Sequence, residues 1–160
     1  MNRYTLLFTF LLSLVSLSVW SIDYKDLQER DGIIYKKTSG VPFTGAFTGE
    51  NQGYVKNGKL EGEVILFNEN GTILATSNYK NGKIHGVEIF YHKNGRLSAI
   101  NNYRDGELEG ESIAYYDNGQ LRRKGVWKNT KLEGYWEFYN KDGSIRKNSG
   151  TYKNGKKISD

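Results

Sequence analysis

Residues able to do acid–base or metal chemistry are few in this chain, and most recur at a fixed interval. His85 and His92 are its two histidines. Such a pair can ligate a metal or relay protons, but they occupy different positions of the pattern described below. Neighbouring units carry Glu or polar residues there, so surface placement is the expectation. Glu61, Glu109 and Glu133 share one position of the pattern, and Glu63 and Glu111 another. Paired carboxylates can act as general acid and base; carboxylates spaced by a repeat period are expected to serve the architecture first. The Asn-Gly loops lack the helix start or larger glycine nest that a phosphate cradle needs. With no cysteine there is no disulfide, no Cys zinc site, no thiol catalysis and no lipid on Cys. No Ser/His/Asp arrangement stands out. The expectation is a chain that is not an enzyme and holds no cofactor or metal.

The elements that position these residues follow from a beat. Asx-Gly-like dipeptides begin at Asn57, Asn70, Asn81, Asn94, Asp105, Asn118, Asn129, Asp142 and Asn154, and only Asn129 is followed by something other than Gly, namely Thr130. The steps alternate 13 and 11, with a last step of 12, so two steps make 24 residues. Asn-Gly and Asp-Gly favour two-residue type I′ hairpins, since both residues accept positive φ. Tight turns at this spacing predict an antiparallel meander rather than a parallel solenoid, which needs longer crossovers. Repeated Gly and the absence of a 3.6-residue apolar period argue against helix.

Aligned on that period, the units are 54–78, 79–102, 103–126, 127–151 and a partial 152–160. Tyr54, Tyr79, Tyr103, Trp127 and Tyr152 form an aromatic column before the first turn. Leu60, Ile84, Leu108 and Leu132 follow it. Phe67, Tyr91, Tyr115 and Tyr139 precede the second turn, and Ile73, Leu97, Leu121 and Ile145 follow. Each aromatic is expected to meet its aliphatic across the hairpin, a pair worth about 0.2–1 kcal/mol. Gly62, Gly86, Gly110 and Gly134 fall inside strand regions, where glycine marks a bulge or makes room for a ring over the backbone. With two strands per unit, four units predict an elongated, open, twisted single-layer sheet roughly 40 Å long.

Residues 22–53 stand off the beat and are read as an N-terminal cap. Asp23 to Arg30 suggests a short helix, Ile33-Ile34-Tyr35 a strand, and Pro42 to Phe47 a turn into another strand. At the other end, Lys156 and Lys157 are placed to blunt an open sheet edge.

Ahead of the cap, Met1-Asn2-Arg3 is a short basic start, and Thr5 to Trp20 is uncharged and rich in Leu, Phe, Val and Ser. Val19 and Ser21 supply small residues for cleavage after Ser21. Residues 1–21 therefore read as a secretory signal peptide, too short and Ser-rich for a membrane span. Secretion or a periplasmic location follows, and nucleic acid becomes an unexpected partner. The whole chain has 160 residues, 14% aromatic, with 12 Tyr, 3 Trp, 19 Gly and a formal charge of +5. Without residues 1–21 the balance is mildly basic, and the charges look scattered through the units, a solvated surface. One domain with a thin rather than globular core is the expectation.

The unit Y-x-N-G-x-x-x-G-x-x-x-x-Y-x-x-N-G-x-L resembles the bacterial variant of the MORN repeat, over residues 54–160. Pro42-Phe43-Thr44-Gly45 is similar to the Pro-aromatic-Thr-Gly segment common in such proteins. The resemblance extends to YwqK-like antitoxins, which implies a partner-binding role. MORN arrays imply an open single-layer β-sheet that serves as a binding platform or dimerisation surface, and lipid binding has been proposed for them.

The aromatic columns are expected to supply mostly the core of a thin sheet. In the fourth unit, Trp127, Tyr135 and Trp136 break the consensus and enlarge the aromatic area beside Tyr139. These four are the candidate partner-binding residues, since Tyr and Trp anchor protein interfaces. The function expected is an exported scaffold for another protein. An antitoxin or immunity-like protein and a peripheral membrane-surface binder are the alternatives, and open sheet edges also admit a homodimer.

Overall fold

The computed structural model describes residues 21–160. The predicted signal peptide, except for Ser21, lies outside the described residues. The chain forms one long open sheet and a small hairpin laid against one end of it. Its strands are β1 (Ile22–Asp23), β2 (Leu27–Arg30), β3 (Ile33–Lys36), β4 (Gly45–Thr48), β5 (Asn51–Lys56), β6 (Lys59–Leu60) and β7 (Gly62–Phe67). They continue with β8 (Ile73–Lys80), β9 (Lys83–Tyr91), β10 (Leu97–Arg104), β11 (Glu107–Tyr115), β12 (Leu121–Lys128), β13 (Lys131–Phe138), β14 (Gly150–Lys153) and β15 (Lys156–Ser159). From β7 to β15 each strand pairs with its sequence neighbours, all antiparallel. The exception to the meander is β1, which lies parallel on β4.

The two turn classes differ in backbone as well as in spacing. At Asn57-Gly58, Asn81-Gly82, Asp105-Gly106, Asn129-Thr130 and Asn154-Gly155 both residues have positive φ, as a type I′ turn requires. At Asn70, Asn94, Asn118 and Asp142 the expectation fails: only the following glycine is left-handed. These are three-residue loops, a type I turn closed by a left-handed glycine, as in Gly71 N–H to Asn68 O at 2.8 Å and Asn68 N–H to Thr72 O at 2.7 Å. The Asx side chain has a different task here. Asn70, Asn94, Asn118 and Asp142 each accept the N–H two residues on, at 2.9–3.1 Å.

Thr130 keeps the geometry of the glycines it replaces, with φ +59. That region is costly for a β-branched residue, and a hydrogen bond from Leu108 N–H to Thr130 Oγ1 at 3.2 Å partly offsets the strain. The extra residue before Tyr152 does interrupt a strand. Between Ile145 and Gly150 the chain turns away, and Ser149 Oγ takes the ladder position beside Phe138, accepting its N–H at 2.9 Å and donating to its carbonyl at 3.0 Å.

The aromatic–aliphatic pairs form across both turns: Tyr79–Ile84, Tyr103–Leu108 and Trp127–Leu132 at the first, Phe67–Ile73, Tyr91–Leu97, Tyr115–Leu121 and Tyr139–Ile145 at the second. The first column, however, starts at Val55 rather than Tyr54. Val55 stands opposite Leu60 and is fully buried, because one extra residue precedes that turn.

Gly62, Gly86, Gly110 and Gly134 have φ between +70 and +100. Register slips across the last three: Ser77 pairs with Glu88 but Tyr79 with Ile84, and the same jump recurs at Gly110 and Gly134. They are bulge glycines. Room for a ring is not their reason, since a Cβ on Gly62 or Gly134 would meet nothing within 4 Å.

The cap is closer to the repeats than its sequence suggests. Tyr24–Asp26 is one 3-10 turn, capped by Asp23, before β2 begins. Asp31-Gly32 is a further turn with both residues at positive φ, joining β2 to β3. Phe43 stands where the repeats have Leu or Ile: its carbonyl takes the Gly58 N–H at 2.7 Å, as Leu60 takes that of Gly82 at 2.9 Å.

Cross-strand partners share a face, so register assigns every strand residue to one of two faces. The buried strand residues of the long sheet lie on one of them, the packed face. Its N-terminal end is apolar: Phe47, Val55 and Val64 pack under Leu27 and Phe43. Its middle is polar and satisfied, with Ser77 Oγ donating to Glu88 Oε1 at 2.8 Å and Ser112 Oγ to Asn101 Oδ1 at 2.7 Å. Its C-terminal end is aromatic. Small residues alternate with large ones along it, so Ala75, Ala99 and Ala114 are buried beneath neighbours such as Leu66, Phe90 and Arg123.

Burial, and then the charge of nearby Glu88, push the Tyr103 hydroxyl up to about 12. The folded state therefore favours the neutral phenol. This contribution is complete below the unfolded value near pH 10 and fades as pH rises through 12. Stability measured by urea unfolding is expected to decline over that window, and Tyr103→Phe to make the decline shallower. Thr130→Gly is expected to raise stability by about 1 kcal/mol, by relieving the left-handed strain.

Candidate functional site

The four aromatic candidates of the fourth unit do not form one patch. Trp127 and Trp136 lie on the packed face, and Tyr135 on the opposite, open face. Trp136 is 0% exposed, whereas the adjacent Tyr135 is 53% exposed. The ring of Trp136 lies on Gly125: a Cβ there would come within 2.2 Å of it. Gly150 stands directly opposite on the other neighbouring strand. The indole fits because Gly125 on the flanking strand leaves room for it, and its Nε1 donates to Val126 O at 2.9 Å. It meets Trp127 edge-on at 5.0 Å and 71°, stacks with Phe138 at 5.7 Å and 19°, and Phe138 in turn meets Tyr152. These tryptophans form the C-terminal core.

Tyr135 belongs to a different constellation. On the open face a row of residues directly opposite one another crosses seven strands: Ile65, Thr76, Ile89, Ile100, Ile113, Lys124 and, on β13, Glu137. Beside it stand Val87, Asn102, Glu111, Val126 and Tyr135. Val87 and Val126 are each more than 40% exposed. Near the C-terminal end the face dips into a shallow depression of about 430 Å³, whose floor is Ile100, Ile113 and Val126 and whose wall is Tyr135. No other element of the described chain covers it.

One side of this depression is charged. Lys124 Nζ lies 3.0 Å from Glu137 Oε2, and the Tyr139 hydroxyl donates to the same oxygen at 2.8 Å. The hydrogen bond from Lys124, then that from Tyr139, hold the Glu137 carboxyl below its usual range, and Glu137 raises Lys124. An exposed pair of this kind adds little stability. It makes a polar rim to an apolar floor, which is the anatomy of a protein interface. Tyr139 thus joins Tyr135 on this side, while Trp127 and Trp136 support it from beneath. The sequence signal for this surface is the isoleucine three residues after each of the first three bulge glycines, Ile65, Ile89 and Ile113.

The first set of repeated carboxylates proves architectural. Glu61, Glu109 and Glu133 accept the N–H of Asn81, Asn129 and Asn154 in the next turn, at 2.8, 2.9 and 3.0 Å. His85 takes the same position, with Nδ1 3.2 Å from the Asp105 carboxylate, and Thr44 takes it in the cap. His92 Nε2 rests 3.1 Å from Tyr115 O. Among the described residues no group of three or more His, Asp or Glu is placed to hold a metal ion.

Two adjacent residues should therefore respond oppositely. Trp136→Ala is expected to cost about 3–5 kcal/mol in chemical unfolding, by emptying a core position. Tyr135→Ala is expected to change stability by less than about 1 kcal/mol.

No curated protein matches the chain. The family model of the MORN repeat variant matches residues 60–81, 84–105 and 108–129. Each segment runs from the aliphatic whose carbonyl accepts a turn amide to the Asx of that turn, so the family model matches three consecutive repeats of this chain.

Proposed function

We propose that this protein is an exported, non-enzymatic scaffold that binds another protein across its open sheet face. The observation that carries the reading is the contrast between the two faces. One is filled by the chain's own side chains, while the other leaves a continuous β-branched row half-buried, flanked by exposed Val87, Val126 and Tyr135. Exposed apolar ground of this extent, with a polar rim, is what protein partners cover. Residues 1–21 support export, to the periplasm or beyond. The antitoxin-type reading is the special case in which the partner is one toxin, and a second copy of the chain is another occupant of the same face.

A photo-crosslinking amino acid placed at Tyr135 or Ile100, in the cells that make the protein, is expected to capture a discrete adduct whose mass identifies the partner. The same group at Lys93, on a turn, should give none, and Val126→Asp should abolish capture from Tyr135. Equal labelling from Lys93, or no adduct at all, would refute the reading. Intact mass of the exported protein is expected to correspond to a chain starting at Ile22; retention of Met1 would overturn cleavage.

A further inference from the structure

Lysines that look scattered in the sequence gather on one long edge of the sheet. The five type I′ turns of the long sheet all lie along that edge. Each is flanked by two residues directly opposite one another: Lys56 and Lys59, Lys80 and Lys83, Arg104 and Glu107, Lys128 and Lys131, Lys153 and Lys156. All ten are exposed. Four of the five turns thus set lysine across from lysine, an arrangement that destabilises a hairpin. The third turn, with Glu107, shows the favourable alternative. Among the described residues, none of these eight lysines is in a salt bridge. The edge does carry carboxylates, Glu61, Glu109 and Glu133 bonded to turn amides and Asp105 and Glu107 near Arg104, but these five are outnumbered by the eight lysines and Arg104.

The opposite long edge is built differently. Its turns carry Glu69, Lys93, Arg96, Asp117, Lys141 and Asp142, a balanced set. Lys141 and Asp117, from successive repeats, are paired at 2.6 Å. One edge neutralises itself and the other accumulates unpaired positive charge at the expense of its own turns.

We propose that this edge is a binding rail for a linear, phosphate-bearing polyanion. Turns of one class stand two strands apart, so these turns recur about every 10 Å along roughly 40 Å, with lysine pairs at the first two and last two and Arg104 at the middle one. The rail is one pair wide and winds with the twist of the sheet. A flexible polymer can lie along all of it, whereas a bilayer plane meets only a line. Lysine serves phosphate as a point charge and needs no fixed fork. The rail has no aromatic among its flanking residues on which bases could stack, which disfavours single-stranded nucleic acid. This surface is separate from the open face, so a partner there and a polymer here can be held together.

The test is anisotropy of end-labelled long-chain inorganic polyphosphate titrated with the protein at several salt concentrations. Binding is expected at low salt. A variant with Lys80→Gln, Lys83→Gln, Lys128→Gln and Lys131→Gln should bind at least about tenfold more weakly and flatten the log–log salt slope by about 3. It should melt no lower than the parent, since like charges have been removed. Glu107→Lys, which completes the fifth basic turn, should bind more tightly. Lys93→Gln, Arg96→Gln and Lys141→Gln together, on the other edge, should change affinity by less than about twofold. The proposal fails if the parent does not bind polyphosphate at low salt, or if both edges' variants lose equally. It also fails if Glu107→Lys has no effect, or if anionic vesicles or single-stranded DNA bind the rail more tightly than polyphosphate.

Discussion

Each repeat is fastened to the next by a backbone amide aimed at a carbonyl in the repeat before it. The N–H of Gly82 reaches Leu60 O, that of Gly106 reaches Ile84 O, and that of Thr130 reaches Leu108 O, at 2.8–2.9 Å. Both ends of this bond depend on left-handed backbone. The turn needs it to point its second amide outward, and the bulge glycine two residues after the acceptor needs it to bring the strand back into register. The Glu61, Glu109 and Glu133 carboxylates then take the turn's other amide. With both amides of a turn satisfied by the previous unit, strand pairing has no freedom to slip, and the assignment of side chains to two faces is fixed along the sheet.

A single layer has one face on which to build a core, and this chain builds it in three chemistries. Aliphatic packing under the cap gives way to a hydrogen-bonded polar stretch around Glu88 and Asn101, and then to the Trp127, Trp136, Phe138 and Tyr152 cluster. Glycine does as much as the large residues at the far end, since Trp136 fits only where Gly125 leaves space. The open face needs no such arrangement and is left with its row of isoleucines.

The meander, the bulges and the aromatic–aliphatic pairs were legible because turn chemistry is local. Less visible was which turn chemistry applied. An Asn before Gly fits a type I′ hairpin and a three-residue loop equally well, and only the strand lengths on either side decide between them. Asp31-Gly32 carried the same signal inside the cap and is a turn of the same kind. Tyr54 and Val55 could not be ordered by spacing alone, because an inserted residue moves one of them to the other face. Tyr135 and Trp136 show the limit most clearly. Strand alternation says that they face opposite ways, but which one is covered depends on a glycine 11 residues before Trp136, brought beside it by pairing of β12 with β13.

Because each repeat contributes two strands, an even number, adding or removing a whole unit returns the chain to the same side of the sheet with its faces and edges in phase. Strand parity therefore makes length a freely variable dimension of this architecture. A duplication within the gene would extend the isoleucine row and the lysine edge together by about 10 Å, and would demand no compensating change at either terminus.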